Sequence, residues 1–332
     1  MILGVREEML ENRAFFSKNS RLKTVFSGIL TLIFFFSAVQ VSFAQESRRL
    51  ETYLPDLSGL AWVEADIFLG VHDAKNKGKN SDPSQPRLSL LQLPTQEKPL
   101  LWQVLRVDWP NPEGLSNDLE SITSIPETNL FLLAESGEKK PFQRLFLAAY
   151  SQQKVKIVEQ INWPIPVKNV EAIAVSRQGD RYLFIYAERA DSQESTKIRW
   201  TDISFNPLKF GEFQSVTFRS PFGSGKNIRP ISDLAVDKQG NIYIASAYDP
   251  DSAGVFRSAV YRIGQVKADN SLIIAPNPQK IAEIDGSKVE AVTTRESPRG
   301  KIEVFIGTDD ENYGGFMRPL LLVDILAAVN GR

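Results

Sequence analysis

Leu57-Ser58-Gly59-Leu60-Ala61, Leu119-Glu120-Ser121-Ile122-Thr123, Val170-Glu171-Ala172-Ile173-Ala174, Ile231-Ser232-Asp233-Leu234-Ala235 and Val289-Glu290-Ala291-Val292-Thr293 are five versions of one pentapeptide. Each has an aliphatic residue first and fourth, serine or glutamate second, and alanine or threonine fifth. Their starts lie 62, 51, 61 and 58 residues apart. A recurrence at this spacing marks an architecture made of repeated supersecondary units, none of which can bury its apolar face alone.

A second run rich in aliphatic and aromatic residues follows each pentapeptide, at 67–71, 130–134, 183–187, 242–247 and 304–308. A third lies at 87–93, 144–150, 197–205, 259–266 and 319–325, and a fourth in four units, at 101–109, 155–163, 213–219 and 280–284. Runs of this length and composition read as strands. Turn signals such as Gln178-Gly179-Asp180 and Gln239-Gly240-Asn241 separate first strands from second ones. The fifth unit lacks a fourth strand, while a spare one near 48–54 precedes the first unit. Pairing spare with last closes a ring, so the pattern predicts an all-β, five-bladed β-propeller of four-stranded blades. A six-bladed ring with one degenerate blade is the alternative. A sandwich or two small barrels would explain neither the five-fold motif nor the missing and spare strands.

Ahead of the first unit, Arg6, Arg13, Lys18, Arg21 and Lys23 outnumber Glu7, Glu8 and Glu11, and an apolar block follows at 25–41. Ser42-Phe43-Ala44 then places small residues where signal peptidase requires them. Residues 1–44 read as a signal peptide and 45–332 as the propeller of an exported protein, periplasmic or secreted. An uncleaved segment tethering the protein to the membrane is the alternative, because 24–44 is long enough to span a bilayer.

Lysine plus arginine number 39 against 40 aspartate plus glutamate, so no basic field exists to hold nucleic acid. The chain has no cysteine, which excludes disulfides, thiol chemistry and cysteine-ligated metals. No nucleophile elbow or phosphate loop occurs, and Gly223-Ser224-Gly225-Lys226 lacks the spacing of the latter.

In an up-and-down blade, the start of the first strand and the end of the second share a face. Ser58, Glu120, Glu171, Ser232 and Glu290 occupy the first position, and Asp73, Glu135, Glu188, Ala247 and Asp309 the second. Seven carboxylates are thereby expected around one mouth of the central channel. The fourth blade departs with Ser232 and Ala247; Asp233 and Asp249 lie nearby, though strand alternation turns Asp233 away from the side Ser232 faces. Such crowding demands positive charge. Lys139, Lys140, Arg189, Arg257, Arg295 and Arg318 are candidates, as is a calcium ion held by Glu120, Glu135, Glu171, Glu188, Glu290 and Asp309. Candidate catalytic groups are Glu120, Glu171, Glu290, Asp73 and His72, the only histidine. Trp62, near the channel, offers a surface on which a sugar could stack, or a core residue.

The segments Leu57-Ser58-Gly59-Leu60-Ala61 with Asp73, Asp118-Leu119-Glu120-Ser121-Ile122 with Glu135, and Val170-Glu171-Ala172-Ile173-Ala174 with Glu188 resemble the phytase-like, or esterase-like, propeller domains of exported bacterial proteins. The resemblance implies a secreted propeller that hydrolyses phosphoesters or esters in small molecules with the help of a divalent metal. Two other readings fit the residues: a five-bladed glycoside hydrolase using two of the acids, and a non-catalytic binding or scaffold propeller of the envelope.

Overall fold

The computed structural model describes residues 54–74, 84–94, 99–110, 114–138, 140–190, 195–223, 225–250, 255–310 and 314–320. The predicted signal or anchor segment lies outside them. No helix occurs among the described residues, and none therefore is long and apolar enough to cross a membrane.

Five antiparallel sheets form a five-bladed β-propeller, which settles the choice between five and six. The first blade contains β1 (Gly59–Glu64), β2 (Ile67–Val71), β3 (Leu88–Gln92) and β4 (Leu101–Val104). The second contains β5 (Leu119–Ser124), β6 (Leu130–Glu135), β7 (Arg144–Ser151) and β8 (Lys154–Asn162). In the third, β9 (Val170–Gln178), β10 (Arg181–Glu188) and β11 (Ser195–Phe205) are followed by an outer strand in two pieces, β12 (Leu208–Phe210) and β13 (Gln214–Arg219), both paired with β11. The fourth contains β14 (Ile228–Val236), β15 (Asn241–Tyr248), β16 (Arg257–Val266) and β17 (Leu272–Asp285). β17 starts eight residues before the expected run and carries Pro276 and Pro278, which an outermost strand tolerates because nothing pairs beyond it. The fifth blade shows β18 (Val289–Glu296), β19 (Ile302–Thr308) and β20 (Met317–Leu320). Of the strand expected at 48–54, only Leu54 is described, and it bridges antiparallel to Gly315.

The core divides into five clusters, one between each pair of successive blades. Leu69, Leu88 and Phe146 pack between the first two blades, and Leu147, Trp163 and Tyr186 between the next two. Ile185, Trp200 and Ile244 follow, then Val260, Val292 and Ile306. Phe68 and Phe305, ring centroids 4.8 Å apart, pack with Leu57 and Met317 to join the last blade to the first. Blade faces therefore alternate with apolar seams all the way round, and each buried side chain contributes about 1.5–3 kcal/mol through removal from water.

The first strands approach one another closely at the axis. Gly59 lies so near the second blade that a Cβ there would meet Ile122 N and Ser121 Cα, each at 2.9 Å. Leu57, fully buried, fills the space that glycine leaves in two other strands: a Cβ on Gly70 would stand 2.5 Å from Leu57 Cδ2, and one on Gly307 2.9 Å from its Cδ1.

In the second blade Glu135 and Arg144 form an ion pair with no exposed side-chain surface. Glu135 Oε1 accepts from Arg144 Nη2 at 2.6 Å and from Asn117 N at 2.9 Å, and Oε2 accepts from Arg144 Nε at 2.9 Å. The guanidinium also donates to Leu115 O at 2.9 Å and Gly114 O at 3.2 Å, fastening the segment before β5. With every partner satisfied the pair is tolerated; with one partner removed it leaves a bare buried charge.

Two outcomes are expected. Gly59→Ala should lower the unfolding free energy by about 1–3 kcal/mol, because the clash is with backbone and cannot be relieved by a rotamer change. Arg144→Met should cost about 3–5 kcal/mol, and Glu135→Leu added to it should restore part of the loss. Denaturant melts measure both, and a double variant less stable than Arg144→Met alone would refute the ion-pair account.

Candidate functional site

In the three pentapeptides that carry a glutamate, it is the extra residue of a β-bulge. Leu119 faces Glu135 and Ser121 faces Ala134, leaving Glu120 unopposed. Val170 faces Glu188 and Ala172 faces Ala187, leaving Glu171; Val289 faces Thr308 and Ala291 faces Gly307, leaving Glu290. Bulges interrupt strand alternation and re-aim side chains. Here they hold Glu120, Glu171 and Glu290 at one mouth, with only 7%, 3% and 4% of each residue exposed. In β14 the irregularity is larger, since Arg229 faces Ala247 and the next pairing is Asp233 with Ala245.

That fourth blade supplies the positive charge. Arg229 Nη1 contacts Glu290 Oε1 and lies 3.5 Å from Glu171 Oε2, while Nη2 is 2.5 Å from Asp249 Oδ2. Glu120 belongs to the same electrostatic group through Glu171 and Arg229. Two of the three positions without an acid, Ser232 and Ala247, are thus on the blade that carries Arg229; the third, Ser58, is on the first blade. Lys288, 2% exposed, is the second cation, 3.1 Å from Asp309 Oδ2 and 3.5 Å from Glu290 Oε1. Arg189 Nε is the third, 3.4 Å from Glu171 Oε1. Of the described cations singled out in the sequence, Arg189 joins this group. Arg295 sits at the far end of β18 with Asp66 and Glu303, Arg257 stacks on Tyr248 and Arg318 on Phe316. Lys139 lies outside the described residues.

Burial raises the carboxyls of Glu171 and Glu290 to about 7, against the pull of the cations beside them. Burial also works against the charge of Arg229, yet Glu290, Glu171 and Asp249 hold it firmly protonated. Lys288 is likewise held charged by Glu290 and Asp309 in spite of burial. At the edge of the group, burial lifts Asp56 to about 6; Lys288 opposes the rise, and Asp310 and Asp73 add to it.

The other acids are spent elsewhere. Glu135 is enclosed by Arg144, and Glu188 pairs with Arg199 and accepts from Lys168 N at 2.7 Å. Both are second-strand ends answered by an arginine on the adjacent third strand. His72, 3% exposed, uses both ring nitrogens: Nδ1 donates to Asp56 O at 2.6 Å and Nε2 accepts from Ser89 Oγ at 2.8 Å. Burial lowers its pKa to about 4, so it is a neutral brace between the entering chain and β3. Trp62 is at the opposite mouth, its indole N–H donating to Ala65 O at 3.1 Å.

Calcium does not fit this arrangement. Among the described residues no three His, Asp or Glu side chains converge as metal ligands, and Arg229 and Lys288 already stand among the carboxylates.

Below the mouth the axis is closed by hydrogen bonds. Asp233, 1% exposed, accepts from Ser121 Oγ at 3.1 Å and Val292 N at 2.7 Å, and Ser121 Oγ in turn accepts from Ile173 N at 3.1 Å. One carboxylate and one hydroxyl thereby tie four blades together. Asp233 is turned inward as well as Ser232, whose hydroxyl donates to Val289 O at 2.7 Å; the β14 irregularity allows both.

No family model and no curated protein matches the chain. Solved structures do. A thermostable family-43 glycoside hydrolase is similar at a TM-score of 0.53 and 13% identity, over 80% of this chain and 89% of that one. An endo-arabinanase from Bacillus licheniformis is similar at 0.45 and 11%, over 82% and 96%, and a β-fructofuranosidase from Bombyx mori at 0.47 and 11%, over 80% and 59%. At such identity the first of these likenesses is one of fold, and it agrees with the five-bladed propeller read from the repeat.

Proposed function

We propose that this propeller is an exported glycoside hydrolase whose carboxyl pair is Glu171 and Glu290. The observation that carries the reading is that Arg229 Nη1 holds an oxygen of each, one in contact and one at 3.5 Å. Two carboxyls on one nitrogen lie close to the ~5–5.5 Å separation of a retaining pair and short of the ~6.5–9.5 Å of an inverting one. The fold likeness to a family-43 glycoside hydrolase supports the choice of reaction over phosphoester hydrolysis.

The surroundings divide the roles. Glu290, in contact with Arg229 and 3.5 Å from Lys288, is assigned as the nucleophile. Glu171, with Glu120 pressing against its charge, carries the proton to the leaving-group oxygen. Glu290 forms the glycosyl ester as that oxygen departs, and Glu171 then deprotonates the water that releases the sugar. Because little of either carboxyl is exposed, the pair suits a terminal sugar entering the funnel rather than an internal bond.

A second reading rests on the completeness of the ion pairing around Arg229, which also suits a binding propeller without catalysis. One experiment separates the readings: a screen of the full chain against 4-nitrophenyl glycosides, with 4-nitrophenyl phosphate plus calcium as comparison. Glycoside turnover is expected, reduced about a hundredfold to ten-thousandfold in Glu171→Gln and Glu290→Gln. The reaction needs Glu171 protonated and Glu290 ionised, and burial lifts both to about 7, so the rate should peak near pH 7 and fall on either side. Turnover of phosphate alone, or of nothing, would overturn the assignment.

A further inference from the structure

At the other end of the channel lies a cavity of about 410 Å³, lined by the far ends of all five first strands. We infer that this second mouth is a separate binding pocket for a neutral small molecule with an aromatic or aliphatic body. The cavity is within the ~300–1,000 Å³ range of small-ligand sites. It is cut off from the acid mouth by the Ser121–Asp233–Val292 tie.

Its chemistry differs from that of the acid mouth. The inner wall is apolar, formed by the buried side chains of Leu60, Ile122, Val175 and Val292. Hydroxyls of Ser124 and Thr294 stand higher on the wall and could orient a ligand's polar atom. The charges of the lining are answered within the protein: Arg177 by Glu127, Lys238 by Glu296, Arg295 by Asp66 and Glu303, both at 2.6 Å, and Asp237 by hydrogen bonds from Gln239 N, Asn241 and the Tyr243 hydroxyl. An ionic ligand would therefore have to break a pair to gain one, whereas an uncharged one loses nothing. The rim is also pre-formed. Arg177 lies over the Tyr182 ring at 5.4 Å, Arg295 over Phe305 at 4.9 Å, and Trp62 is fixed through Ala65 O. A pre-formed pocket with an apolar inner wall beneath a polar rim binds with little ordering cost.

The test uses prodan, a neutral naphthalene dye whose emission shifts to the blue in apolar surroundings, titrated into the full chain. Saturable one-to-one binding is expected, and an anionic anilinonaphthalenesulfonate should bind about tenfold more weakly. Thr294→Trp and Ser124→Trp, on two different blades, fill the cavity from partly exposed wall positions and should each abolish the shift while leaving the melting temperature unchanged. If both variants melt early, density for prodan in soaked crystals of the unaltered protein decides. Absence of saturable binding, equal affinity for the anionic dye, shifts that persist in folded variants, or density elsewhere would each overturn the proposal.

Discussion

Arg229 is the residue on which the centre of the ring depends. Radial packing brings the first strands of five sheets to one axis, and the bulges press three glutamates into a space where water cannot screen them. Each charge buried there costs several kcal/mol unless answered at close range. A guanidinium answers several at once, because its planar fork presents donors in fixed directions. Its place on the fourth blade explains why that blade departs from the acidic pattern. A glutamate at position 232 would bring one more acid to the mouth, and a larger residue at position 247 would stand directly opposite Arg229 on β15.

The mouth therefore balances two requirements. The cations must be strong enough to hold the ring's acids together, yet burial still leaves Glu171 and Glu290 raised to about 7. Groups poised in this way exchange protons near neutral pH, which is what acid–base chemistry demands and what a purely structural salt bridge avoids. Burial raises the Glu135 carboxyl as well, and the difference lies in its partners. Its carboxyl is equally hidden but accepts from the guanidinium of one arginine and from two backbone amides, and both of its oxygens are fully committed.

The fold was legible because a propeller repeats its instructions. The five pentapeptides became the five first strands, and aliphatic residues at their first and fourth positions became the apolar seams between blades. The glutamates were legible as a group for the same reason. What escaped was anything occurring once. Arg229 and Lys288 stand just before their pentapeptides in single blades, so no recurrence marks them. Bulges are likewise invisible to period-two counting, and alternation alone therefore misplaced Asp233. Glu135 and Glu188 obey the repeat but face an arginine of the next strand, a partner visible only once strand register is known.

Closing the axis with hydrogen bonds rather than apolar packing has a further consequence. An aliphatic plug would seal the channel but could slide, since dispersion contacts are weakly directional. Asp233 fixes distance and direction to the second and fifth blades together, through a hydroxyl and a backbone amide. Burial holds its carboxyl well above the ordinary range, so the tie persists only while those donors compensate the lost hydration. Because Ser121 also receives Ile173 N from the third blade, displacing any one inner strand would strain the others. The two mouths are therefore separate chemically but share one rigid waist, and each can specialise without loosening the geometry of the other.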